Sequence, residues 1–163
     1  VESRVTRFVT EPRKAIPSSQ NPAGVRSMKL PPRSLALLVV IVHHAVVGLH
    51  AVAHGALQIA LTPFQAAFVA GVIIAAPAVA VILLVTRHAP WGALLLLFSM
   101  LASLVFGIVY HVLLPGPDNM FEVVQGGWAI VFQTTGPALA ILEALGALAG
   151  IRLLMPAESA AET

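Results

Sequence analysis

The chain has 163 residues, 58% hydrophobic and 10% charged, with a formal net charge of +2. Soluble domains carry roughly 25% charged residues, so a freely soluble globular protein is excluded and a lipid-embedded one is expected. The lack of cysteine excludes disulfides, thiolate metal sites and cysteine nucleophiles, and no basic–aromatic pattern or phosphate-cradling glycine loop points to nucleic acid or nucleotide.

Seven of the nine Lys and Arg residues precede residue 34. Residues 1–34 lack apolar periodicity and read as a basic, disordered cytoplasmic tail. An alternative start at Met28 would leave residues 1–27 untranslated. Four apolar runs follow, at 35–61, 64–86, 91–114 and 128–155, each near the length of about 20 residues that a transmembrane helix needs. Thr62-Pro63, then Arg87 to Pro90, then the 115–127 segment separate them. Residues 156–163 form a short C-terminal tail. The predicted fold class is therefore all-α, an integral membrane bundle of four transmembrane helices.

Lys29 and Arg33 fall before span 1, Arg87 after span 2, and Arg152 at the end of span 4. The positive-inside rule then gives N-in/C-in, with Asp118 and Glu122 in an outer loop. Trp91, Trp128 and Tyr110 sit near span ends, as interfacial aromatics do. A cleavable signal, with an apolar core at 35–42 and small residues at Ala51 and Ala53, is the competing reading of span 1. Histidines interrupt that core and the apolar run continues to residue 61, so the span is retained.

The segment HHAVVGLHAVAH, residues 43–54, places four histidines in span 1. At 100° per residue His43, His50 and His54 lie within about 40° of one another, on one stripe about 16 Å long. Imidazoles facing lipid would lose their hydrogen bonds, so the stripe is expected to face the bundle interior. His44 points about 100° away.

Depth matching then defines two layers. The outer layer gathers His50, His54 and His111, with Gln58, Gln133, Thr134, Asp118 and Glu122 nearby. The inner layer gathers His43, His44 and Glu143. Span 4 carries a stripe of Gly136, Ala140, Glu143, Ala147 and Gly150, and span 3 a ridge of Ser99, Ser103, Gly107 and His111, both suited to close helix approach. Pro77 and Pro137 should free the carbonyls of Ile73 and Gln133.

Each layer has a chemical and a purely structural reading. His50 and His54 at i, i+4 with His111 offer three neutral nitrogens, a donor set for zinc, copper or iron. His54 with His111 also forms a pair of axial ligands for haem b, and the architecture resembles the four-helix haem-carrying membrane anchors of respiratory enzymes. That resemblance is one of architecture without a motif, and no outer Lys or Arg is available to pair with haem propionates. Glu143 with His43 or His44 offers a proton relay. In the structural reading these side chains only bond helices together, with no cofactor. His88, beside Arg87 and Pro90, is an interfacial loop residue.

The leading expectation is a small multi-pass membrane protein, located in the cell membrane, that binds a metal or redox cofactor. A proton-linked transporter or channel subunit and a cofactor-free structural subunit are the alternatives. Expected partners are the lipid bilayer and membrane-protein subunits or further copies of the chain.

Overall fold

The structure, a computed structural model, describes residues 31–123 and 126–155. Of the expected tail at 1–34, residues 1–30 lie outside these residues and Pro32–Ser34 instead form the first turn of a helix, started by Pro32 at its first position; the expected tail at 156–163 also lies outside. Four helices account for most of the described chain: α1 (Pro32–Ala56), α2 (Pro63–Leu84), α3 (Ala89–Leu113) and α4 (Gly127–Leu154), each long and apolar enough to cross a membrane. No strand occurs among the described residues.

Backbone chemistry sets the helix ends. Pro32 opens α1, where its missing N–H is no loss and its fixed φ suits the first turn. The apolar run continues to residue 61, but α1 stops at Ala56 because the chain turns at Gln58, which adopts a left-handed φ of 55°. Thr62 then caps α2 through a capping box: its main-chain N–H donates to Gln65 Oε1 at 2.8 Å, and its hydroxyl accepts from the Gln65 N–H at 3.3 Å.

Two π-helical stretches interrupt the α winding. Val69–Ala75 of α2 lies just before Pro77, so the backbone absorbs the missing proline donor by widening its turns. Val109–Leu113 ends α3, closed by the Leu114 N–H donating to the Val109 carbonyl at 2.9 Å. His111 lies within this second stretch.

α4 packs along both α1 and α3, and α2 packs on α3 while touching α1 only briefly. The end carrying Pro31, Met155 and the 85–88 turn has a dry core of Ala36, Val40, Ala80, Leu84, Ala93, Leu96, Met100, Ala147 and Ala149. Small residues let the helices close up there. A Cβ on Gly150 would stand 2.9 Å from the Leu97 nitrogen, and one on Gly92 would stand 2.8 Å from the Ala80 carbonyl oxygen. Toward the opposite, loop-bearing end the core breaks into two smaller clusters, around Phe106 and around Phe132. Ile82, Phe98 and Ile141 are mostly exposed, forming a surface suited to lipid.

Candidate metal centre

His50 and His54 project from one face of α1 toward α4, while His111 reaches the same space from the widened last turn of α3. One ligand nitrogen from each of the three rings lies within 4.8 Å of the other two. The ring centroids are 5.0 Å apart for His50–His54, 5.1 Å for His50–His111 and 5.8 Å for His54–His111. Phe132 of α4 stacks on His50 at 4.8 Å with 20° between planes, a flat wall behind the cluster.

Two of the rings are hydrogen-bonded through one nitrogen, and the third faces a carboxylate oxygen. His50 Nδ1 is 2.7 Å from Thr135 Oγ1, whose hydroxyl itself donates to the Val131 carbonyl at 2.7 Å. Thr135 therefore accepts from His50, which puts the proton on Nδ1 and leaves a lone pair on Nε2. His50 Nε2 is buried and has no partner. His111 Nδ1 donates to the Asp118 main-chain carbonyl at 2.9 Å, which likewise frees its Nε2. His54 Nε2 stands 3.2 Å from Asp118 Oδ1, and His54 Nδ1 is buried and unpartnered.

Asp118 is the hub of this arrangement. Its Oδ1 also stands 3.0 Å from His111 Nδ1, and its Oδ2 accepts from the Gln65 amide at 3.4 Å. A compact loop carries it into place. Asn119 donates to the Val112 and Leu114 carbonyls at 3.3 and 2.9 Å, the Met120 N–H donates to the His111 carbonyl at 2.9 Å, and Gly116 turns with a φ of 141°. These bonds satisfy carbonyls that the end of a helix leaves open, and they fold the loop back over α3.

The other polar residues expected nearby have different tasks. Gln58 is exposed at its turn, Gln133 donates to the Met120 carbonyl at 2.9 Å, and Thr134 is exposed and bonds its own helix. Glu122 is exposed and accepts from the Gly116 N–H at 3.0 Å. Thr135 and Gln65 perform the orienting instead. Periodicity did not single them out, although the Thr62–Gln65 spacing is a readable capping box.

In the second layer His43 Nε2 lies 3.6 Å from Glu143 Oε1, both side chains being buried, and neither nitrogen of His43 has a hydrogen bond. His44 does not join them at the carboxyl. Its Nδ1 is 2.8 Å from the Val40 carbonyl and its Nε2 3.0 Å from the Ile74 carbonyl of α2, so it straps α1 to the π-helical stretch. The cause is the rotation of about 100° between adjacent helical residues.

A cavity of about 470 Å³ connects the layers. His50, His54, His111 and Asp118 line one end, Glu143 and Ser103 the other, and Val47, Ile73, Phe106 and Leu139 contribute to its walls. Comparison with protein-family models, curated proteins and solved structures yields no match for this chain. The spacing of the histidine triad is that of a group able to hold a metal ion.

Proposed function

We propose that this protein is a multi-pass membrane protein that binds a divalent transition-metal ion, zinc in the first instance, through His50, His54 and His111. The observation that carries this reading is the distribution of bonded and bare nitrogens. In metal sites each ligating imidazole donates its other N–H to a carboxylate, carbonyl or similar group. Here Thr135, the Asp118 carboxylate and the Asp118 carbonyl stand at one nitrogen of each ring, leaving His50 Nε2, His54 Nδ1 and His111 Nε2 as donors. Ligand nitrogens about 2.0–2.1 Å from a tetrahedral ion lie about 3.3 Å apart, and one nitrogen of each ring already lies within 4.8 Å of the others.

Charge supports the same occupant. Asp118, a buried carboxyl 3.2 and 3.0 Å from nitrogens of His54 and His111, offsets part of the charge of a divalent cation in a low-dielectric site. Imidazole nitrogen suits zinc, copper and iron rather than calcium or magnesium, which prefer oxygen. Haem b on His54 and His111 fits poorly. Asp118 Oδ1 stands 3.2 and 3.0 Å from their nitrogens, and His50 packs against both rings, so the space a porphyrin needs is filled.

The positive-inside rule places Arg33, Arg87 and Arg152 in the cytoplasm of a cell whose plasma membrane holds the bundle, with the metal centre in the outer half. Cysteine introduced at Phe121 should then label from outside and at Thr86 from inside. The principal test is elemental analysis of purified protein. About one metal ion per chain is expected, falling below about a tenth in the His54→Ala, His111→Ala double variant. Wild-type protein that neither retains a transition metal nor competes with a micromolar chelator for added zinc would refute the reading.

The second reading is proton transfer between Glu143 and His43, and one observation favours it: the His43 ring is completely buried with both nitrogens unpartnered beside a carboxyl. An isolated intramembrane acid of this kind is a functional candidate. Glu143→Gln should remove pH-dependent proton uptake while leaving the metal bound.

A further inference from the structure

Most of the 470 Å³ cavity lies outside the ligand set. Its volume is in the range of small-molecule sites, about 300–1,000 Å³, and its few polar groups sit at opposite ends of an apolar chamber, as in ligand pockets between bundle helices. The most exposed lining residues are apolar: Ala51, Leu61, Ile108, Val112 and Pro137. An occupant entering past them comes from the bilayer rather than from water.

Inside, Ser103 is bonded to the Ser99 carbonyl at 2.8 Å, whereas the buried Glu143 carboxyl has His43 as its charged neighbour at 3.6 Å and keeps oxygen lone pairs open to the chamber it lines. A buried polar group left without a hydrogen bond is destabilising, so an occupant that hydrogen-bonds the carboxyl gains over a pure hydrocarbon. The span is short. A Cβ on Gly107 would lie 4.0 Å from Glu143 Oε2, and His111 stands four residues along the same helix, about 6 Å away in rise.

The geometry points to a binding site for a lipid-soluble phenol or alcohol, whose hydroxyl bonds Glu143 while its apolar body fills the chamber below the histidine cluster. This inference goes beyond the metal reading: the histidines line one end of the chamber, and the hydroxyl site lies at the other. Binding at Glu143 does not itself require the ion.

The test uses the full chain in lipid nanodiscs with two probes, 4-hexylphenol and hexylbenzene, observed by saturation-transfer NMR, with zinc content measured on the same samples. Saturable phenol binding is expected, with hexylbenzene at least about tenfold weaker because it cannot satisfy the buried acceptors. Gly107→Leu should weaken phenol binding at least about tenfold by filling the chamber while zinc content is unchanged, since a Cβ there meets only Glu143 Oε2. Ala140→Leu, at another lining residue, is the second plug and decides the matter if Gly107→Leu loses its zinc by misfolding. Equal binding of both probes would mean that the chamber only accepts acyl chains, and would overturn the inference. So would partitioning without saturation, or plugged variants that bind phenol normally. Hydroxyl-selective binding by a protein that holds no zinc would remove the metal reading and leave this one standing.

Discussion

The two ends of the bundle solve opposite problems with the same four helices. At the terminal end, alanines and glycines let backbones touch, the core is apolar, and no histidine or carboxyl intrudes into it. At the loop end the helices carry imidazoles, a carboxylate and two π-helical stretches, and they enclose a chamber. Interhelical contact in lipid has little hydrophobic drive and depends on close packing and hydrogen bonds. The contrast suggests a division of labour in which the tight end secures the fold and the open end is free to hold a ligand.

The strongest way to break this comparison is to remove ligands at the open end. His54→Ala should reduce zinc affinity by more than about 100-fold, since a lone pair of imidazoles is a poor site. The shift in thermal midpoint on adding zinc should disappear with it, because stabilisation by a ligand follows its affinity. Isothermal titration and thermal unfolding in detergent check both, and an unaltered affinity would dissolve the distinction between the ends.

A second experiment attacks the tight end. Gly150→Leu drives a side chain into the Leu97 nitrogen and Ala93 carbonyl oxygen at 2.9 and 3.0 Å, and should cost about 1–3 kcal/mol or more through overpacking. Gly48→Leu, with nothing within 4 Å of its Cβ, should be nearly silent. Unfolding curves of the pair measure how far stability is concentrated at that end.

Orienting residues give a smaller effect and sharpen the comparison. Thr135→Val preserves shape but removes the acceptor of the His50 proton, and should weaken zinc binding about 10–100-fold with the bundle intact. Gln65→Leu, which frees Asp118 Oδ2 and half of the α2 capping box, should lower affinity by about tenfold. Calorimetric titration of each variant separates these losses from the larger loss at His54. The smallest effect is expected at Glu122→Gln. Its exposed bond to the Gly116 N–H at 3.0 Å should contribute within about 0.5 kcal/mol of stability, and zinc affinity should not change.

The apolar runs alone determine four helices, because a bilayer admits only segments that satisfy their own backbone hydrogen bonds over a sufficient length. The shared face of His43, His50 and His54 is equally a property of sequence, since helical rotation fixes it. Depth along antiparallel spans was enough to put His111 level with His50 and His54, and Glu143 level with His43. Local backbone conformation decided the rest. The turn at Gln58 ends α1 before its apolar run is finished, and the widened last turn of α3 presents His111 to the cluster. Asp118 becomes the hub only because Asn119 ties its loop back onto α3. Thr135 rather than its neighbours Gln133 and Thr134 meets His50, since a rotation of about 100° per residue separates adjacent side chains. Loop closure and helix rotation depend on contacts between segments distant in sequence, and no local pattern in the chain encodes them.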